Sequence, residues 1–358
     1  MTLKLSRRLF TRGLAGIAAV AVSFVGLAGC GDDGADTSGS ASSGGSSSAK
    51  PIIGVSIPAA DHGWTAGVKY WADEGKKMFG DDVTVQIQTA TGPDEQIKQI
   101  ENMLVSGVDA MVVLATESSP LTETAKKIKE RGVYLVNVDR GFNEPVADVY
   151  VAGDNAAFGR QSAEYMVSKM GGTGNVVIIR GIPSTVDTAR VDAAMEVFEG
   201  SGVTVLDEAV GMWNKETALN VMQGLLQKHD NIDAVWAADD DMAEGVEQAI
   251  AEAQRGGEMW IMGGAGKKDI IKRVMDGDET FPADITYPPS MILAGIAIAK
   301  AELVDGDIAK ADIPDHVGVS QEQLDSAKGQ DGQKQVTLEV KLVTPENASE
   351  FYFPESVF

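Results

Sequence analysis

The sequence predicts an α/β protein built from two doubly wound parallel sheets, and three observations predict it. Continuous apolar, β-branched runs recur along the chain from residue 52 onward. Segments with the 3.6-residue spacing of amphipathic helices separate them. The strand-like runs are also too numerous for one compact sheet, and they divide into two similar halves near "VAGDN", Val151 to Asn155. Apolar runs without polar alternation, each followed by a helix, indicate parallel strands covered on both faces.

The strands expected in order are "IIGVSI", "VTVQIQTA", "AMVVLAT", "VYLVNVD" and "DVYVAG" in the first half. The second half supplies "NVVIIRG", "VTVLDEAV", "DAVWAAD", "MWIMGG" and "ADITY", with a later "VTLEVKLV". Helices are expected between them at about 65–79, 94–107, 120–131, 156–170, 188–200, 215–229, 241–255, 267–277 and 289–305. Residues 312–335 are polar and read as a connection. The aromatic tail "FYFPESVF" reads as packed on the body. Right-handed crossovers place every strand's C-terminal end on one edge of its sheet, where ligands of open α/β sheets bind.

Residues 1–29 read as an export segment: a basic stretch from Lys4 to Arg12, then an apolar run from Leu14 to Ala28 that is short for a membrane span. "SRRLFTR" resembles a twin-arginine signal. Leu27-Ala28-Gly29-Cys30 resembles a lipobox, in which Cys30 is lipidated. Cys30 is the only cysteine, which excludes an internal disulfide, a Cys–His nucleophile pair and a thiolate zinc site. Residues 30–50 then form a Gly/Ser/Asp tether expected to be disordered. A lipid, a leash and a folded body describe an extracytoplasmic protein anchored to a membrane. The formal net charge of −23 makes nucleic acid and anionic headgroups poor partners.

Polar and aromatic groups gather at the expected strand ends. Strand one runs into Asp61, His62 and Trp64. Strand three ends in Thr116-Glu117 and strand four in Asp139-Arg140. In the second half come Arg190, Trp213, Asp239 to Asp241, and Tyr287. Taken singly, each has a plainer reading. Asp139-Arg140 could be a satisfied ion pair, Trp64 or Trp213 core, and His62 a structural histidine. The acids Asp239 to Asp241 could cap a helix, which fits Asp241 best. Together they suit a neutral polyhydroxylated ligand: carboxylate and guanidinium take hydroxyls, and aromatic faces cover C–H patches. The histidines, His62, His229 and His316, lack metal-ligand spacing, and "GGAG" at Gly263 to Gly266 lacks the dinucleotide spacing. No metal, cofactor or catalytic residue is assigned.

With these residues in view, the chain from about 51 to 343 resembles the periplasmic sugar-binding proteins of bacterial ABC importers, the group with ribose- and galactofuranose-binding members. The resemblance rests on "VDRG" (Val138 to Gly141), "AGDN" (Ala152 to Asn155), "LNVMQGLL" (Leu219 to Leu226) and "DDDMAEG" (Asp239 to Gly245), in order behind a lipobox. It implies a type I periplasmic binding protein, with two lobes joined by three crossing strands that close by a hinge. One lobe would comprise residues 51–153 plus about 288–318, the other 154–287 plus about 319–358. Asp139 and Arg140 match the family's sugar-binding pair, Arg190 its second arginine, Trp213 a stacking aromatic and Asp239 a hydroxyl ligand. Trp64 matches a first-loop aromatic with Asp61 beside it, and Tyr287 falls where relatives often carry an amide. Where many relatives read Gly-Phe-Asp-Gly with a ligand-binding Asp, this chain has Ala265. The expected function is delivery of a monosaccharide or short sugar alcohol to an ABC permease by a monomeric, lipid-anchored receptor. Rival readings are a sensory receptor for a membrane signalling partner and a secreted carbohydrate-active enzyme using Asp139 and Asp239. Against the enzyme, Arg140 and Arg190 would hold those acids ionised. Against a sugar-responsive repressor stand the export segment and the lack of an N-terminal DNA-binding helix pair.

Overall fold

Burial on both faces marks the strands that organise the fold. The computed structural model describes residues 49–60, 63–327 and 332–358. Cys30, the export segment and the tether as far as Ser48 lie outside the described residues, as do Asp61 and His62. The first half runs β1 (Ile52–Pro58), α1 (Gly63–Met78), β2 (Thr84–Ala90), α2 (Pro93–Ser106), β3 (Ala110–Val113), α3 (Ser118–Glu130), β4 (Tyr134–Val138) and β5 (Val149–Gly153). The second runs α4 (Asn155–Lys169), β6 (Thr173–Arg180), α5 (Thr185–Glu199), β7 (Gly202–Val210), α6 (Lys215–Lys228), β8 (Ala234–Ala237), α7 (Asp240–Glu252), β9 (Trp260–Met262) and α8 (Lys268–Met275). The chain then passes through β10 (Asp284–Ile285), α9 (Met291–Asp305), β11 (Lys334–Leu338) and β12 (Leu342–Val343).

The first sheet is six-stranded in the order β11-β5-β4-β3-β1-β2, the second four-stranded in the order β7-β6-β8-β9. Every pairing within them is parallel. Each half thus repeats one winding: its first strand lies between its second and its third. That reversal leaves a crevice at the carboxyl edge. Strands β3 and β8 are buried at every residue, as unbroken apolar runs require when helices cover both faces.

Helix α9 returns to the first half. It is apolar on all sides, buried throughout Met291 to Ala299, and packs on β1, β3, β4 and α1. The expected strand "VTLEVKLV" is two strands instead. Strand β11 extends the first sheet beside β5, whereas β12 pairs antiparallel with β10. Residues 319–358 therefore do not all go with the second half, contrary to the expectation from sequence: β5 leaves an open edge, and β11 satisfies its N–H and C=O groups. Between β11 and β12 the chain crosses over, with Asp154 N–H donating to Leu338 O and Thr286 N–H to Lys341 O, both at 2.9 Å. Three adjacent segments thus join the two lobes. The tail packs through Phe358, which is buried against Gly63, Gly67 and α1, while Phe353 is exposed.

Side-chain caps set several second-lobe helices against the crevice. Asp154 caps α4, Ser184 α5, Asn214 α6 and Asp239 α7. Helices α4 and α5 approach so closely that a Cβ at Gly159 would lie 1.9 Å from the Arg190 carbonyl oxygen. Gly159→Ala should therefore destabilise the protein by about 1–3 kcal/mol through overpacking. It should do so although alanine is the better helix former by about 1 kcal/mol. Urea denaturation checks this, and unchanged or raised stability would show that the contact imposes no such constraint.

Candidate functional site

The crevice between the two carboxyl edges holds a cavity of about 30 Å³. Its lining from the first half is Trp64 at the start of α1, with Asp139 and Arg140 just after β4. The second half contributes Val186 and Arg190 on α5, Trp213 after β7, Asp239 capping α7, and Ala265. Tyr287, just after β10 in a crossing segment, completes it. All these charged and aromatic side chains are buried.

Ionised groups out of water need partners. Arg140 Nη1 donates to the carbonyls of Ala115 at 3.1 Å and Thr116 at 3.2 Å, and its Nε lies 3.9 Å from Asp139 Oδ2. Asp139 Oδ1 accepts from the Tyr287 hydroxyl at 2.7 Å. That hydroxyl accepts in turn from Asn155 Nδ2 at 3.1 Å, and Asn155 Oδ1 accepts from Arg190 Nε at 2.9 Å. Arg190 Nη1 donates to Ala238 O at 2.8 Å. One polar chain thus runs from the end of β3 to the end of β8, across both lobes, hydrogen-bonded at every step except Asp139–Arg140, which is an ion pair at 3.9 Å. Burial, then the nearby Asp139 carboxylate, pushes the Tyr287 phenol well above its ordinary range, so it stays a donor.

Aromatic rings frame the chain. The Arg190 guanidinium lies 3.8 Å from the centroid of Phe158, 4.3 Å from that of Tyr287 and 5.4 Å from that of Trp213. Trp64 Nε1 donates to Tyr287 O at 2.9 Å. The Trp213 ring packs on Gly181, where an added Cβ would fall 1.9 Å from a ring carbon. Backbone strain concentrates here. Of the non-glycine residues with positive φ among the described residues, Asp139, Met212, Trp213 and Ala265 lie in or beside the cavity, and only Gln254 lies elsewhere. Such conformations cost about 1–3 kcal/mol each and persist where the surroundings enforce them.

Among the described residues that the sequence singles out, Trp64, Asp139, Arg140, Arg190, Trp213, Asp239 and Tyr287 come together on one cavity. Glu117 does not: it is exposed at the N-cap of α3, because the chain turns outward after the buried Thr116. The helix cap is Asp239, whose Oδ1 accepts from Met242 N–H, rather than Asp241. Asp241 instead spans the lobes, accepting from Gly63 N–H at 2.7 Å and from Lys267 Nζ at 2.8 Å. Two positioning residues are not apparent from sequence. Asn155 stands in the quoted "AGDN" without a role there. Gln96, fully buried, donates to Ser56 Oγ and Leu114 O and accepts from Thr116 N–H, which fixes the loop that receives Arg140. Its signal is a polar residue sharing the buried face of α2 with Ile100 and Met103.

Behind the cavity two carboxyl groups are fully buried. Asp240 Oδ1 and Oδ2 accept from the N–H groups of Gly264 and Lys267, both at 2.8 Å. Among the described residues, no group meets full hydrogen-bond geometry at either oxygen of Asp284 on β10, although the Ile285 and Gly266 N–H groups and the Asp240 carboxyl lie close to it. Burial pushes Asp284 up to about 7. Burial, then the charge of Asp284, raises Asp240 as well.

Residues 53–307 match the family described as the periplasmic binding protein domain. The D-xylose-binding periplasmic protein of Escherichia coli K12 is 32% identical over 254 residues, which is 66% of this chain and 72% of that protein. The ribose import binding protein RbsB of Bacillus subtilis 168 is 25% identical over 240 residues, which is 67% of this chain and 77% of that protein. The solved Caulobacter myo-inositol binding protein, bound to myo-inositol, covers 84% of this chain and 95% of its own at a TM-score of 0.72 and 22% identity. That structural likeness bears on the fold. The sequence relatives are solute-binding proteins, not enzymes.

The buried acid pair sets a pH dependence. A carboxyl group raised to about 7 holds a proton in the native state that the unfolded chain releases near pH 4. Its contribution is complete below about pH 4 and is lost as pH rises through about 7. Urea-denaturation free energies measured from pH 5 to 8 should therefore fall for the wild type relative to Asp284→Asn, by at most about 1.4 kcal/mol per pH unit for one proton. Parallel curves would mean that Asp284 is ionised throughout.

Proposed function

The chain belongs to the periplasmic binding protein family, and from that premise we propose that it captures a small, uncharged, polyhydroxylated ligand between its lobes. The ligand class is a monosaccharide or short sugar alcohol, delivered to an ABC permease. The single observation that carries this reading is the buried chain Arg140–Asp139–Tyr287–Asn155–Arg190, flanked by Trp64 and Trp213. Two carboxylates, Asp139 and Asp239, face two guanidinium groups, so the described lining is balanced and offers no excess cation to a phosphate. Donors and acceptors alternate as vicinal hydroxyls need, and each lobe brings one indole for a C–H face. The names of the D-xylose- and ribose-binding relatives support the same class. With both halves of the site on one chain, the protein works as a monomer, held outside the cytoplasm by a lipid on Cys30.

A thermal-shift screen of free sugars, polyols and sugar phosphates tests the ligand class. A true ligand at 100 times its Kd should stabilise the protein by about 2.7 kcal/mol. Free sugars or polyols should raise Tm and their phosphates should not; the reverse order would overturn the reading. Trp213→Ala should weaken binding of the best hit by about 10-fold or more, since lost stacking and burial together exceed about 1.4 kcal/mol. Calorimetry well below the apo Tm measures this, and unchanged affinity would make Trp213 packing alone. Cys30→Ser should leave affinity intact and move the protein from the membrane to the soluble fraction; a variant still membrane-bound after fractionation would refute the lipid anchor.

A further inference from the structure

We propose that Tyr287 is the specificity-determining residue of the cleft, a wall that favours four- and five-carbon ligands over six-carbon ones. This rests on the sugar-type reading of the site and narrows it. The Tyr287 hydroxyl sits between Asp139 Oδ1 and Asn155 Nδ2, at 2.7 Å and 3.1 Å. That is the position from which a ligand hydroxyl would bridge the two lobes. The protein has placed a phenol there, so one hydroxyl's hydrogen bonds are already taken up and the space beneath them is filled by a ring. What remains is the space between the ring and Trp64, Asp139, Arg190, Trp213 and Asp239.

The ring cannot swing aside for a longer ligand. A Cβ at Gly153 would lie 2.3 Å from a Tyr287 ring carbon, so the ring is seated hard on the end of β5. Phe158 meets it edge to face at 6.0 Å, and the Arg190 guanidinium covers it at 4.3 Å. Its backbone is tied on both sides, with N–H to Ala265 O at 3.0 Å and C=O from Trp64 Nε1 at 2.9 Å. Tyr287 itself is 2% exposed, which makes it a wall of the cleft and not a flap over it. In a close-packed site each extra carbon meets such a wall directly. One methylene too many in a fixed pocket changes discrimination by about 10- to 200-fold.

The experiment measures affinities by calorimetry for erythritol, xylitol, D-ribose, D-galactose and D-sorbitol, on the wild type and on Tyr287→Asn. The shorter amide stays polar while giving up the ring's volume and the direct bond to Asp139. The wild type should bind at least one four- or five-carbon compound about 10-fold or more tighter than both six-carbon compounds. Tyr287→Asn should shrink that ratio by about 10-fold or more. Equal or tighter wild-type binding of D-galactose or D-sorbitol overturns the size preference while leaving a sugar receptor standing. An unchanged ratio in a folded Tyr287→Asn, as judged by circular dichroism, also overturns it. If no compound binds the wild type but a charged solute does, the sugar-type reading itself has failed. The wild-type ratio decides the size preference even where the variant does not fold.

Discussion

The constraint on which the rest of the structure depends is the burial of two carboxylates and two guanidinium groups in one crevice. An unpaired ion in such surroundings carries a penalty of several kcal/mol, and breaking a buried pair by removing one member costs about 3–5 kcal/mol. Asp139 and Arg140 form an ion pair at 3.9 Å. Neutral partners also hold Arg140, Arg190 and Asp139: carbonyls at the ends of β3 and β8, an amide and a phenol. A salt bridge closed on itself would be stable and chemically inert. A carboxylate with one oxygen engaged by a tyrosine keeps directional capacity for hydroxyls, and the low local dielectric strengthens each bond it forms.

Fold and site are linked through the winding of the sheets. Both halves reverse direction around their first strand, so loops after successive strands splay to opposite sides and leave a crevice. Placing two such crevices face to face turns two shallow edges into one enclosed site. The crossing segments then become part of the lining. Tyr287 follows β10 by two residues and Asn155 follows β5 by two, so the same residues that join the lobes also carry the central hydrogen bonds. Any change in lobe angle must alter the distance between Asp139 and Arg190, and the Tyr287–Asn155 link makes those two arms of the site interdependent.

The strands are legible in the sequence because burial on both faces writes itself as unbroken apolar runs, as in β3 and β8. The cavity residues are legible because charge and indole are conspicuous after such runs. What is not legible is of two kinds. Glu117 looks like its neighbours at other strand ends, but sequence cannot tell whether a loop turns toward the crevice or toward water. Asn155 and Gln96 are uncharged amides whose importance comes from what they touch, and their partners are distant in the chain. The capping acid is displaced by two positions for a related reason: Asp239, Asp240 and Asp241 are chemically identical, and backbone geometry alone gives one the cap, one the buried pair and one the contact between lobes. Strand β11 departs from expectation because edge pairing with β5 depends on which lobe the chain has crossed into, which no periodicity records.

The departure at Ala265 fits this picture and explains part of it. A Cβ added at Gly264 would fall 2.2 Å from a Phe158 ring carbon, and one added at Gly263 would fall 2.4 Å from Asp240 Oδ1. Phe158 therefore fills the space beside the loop and offers its face to Arg190. Ala265, at φ 139°, contributes backbone in place of a carboxylate: its N–H donates to Ile285 O, and its carbonyl accepts from Tyr287 N–H. An acid at that position would add a third carboxylate to a described lining that holds two against two arginines. The extra charge would need a cation or would stay protonated. With alanine there, the described lining holds two carboxylates against two arginines, and the loop's backbone groups fix Tyr287.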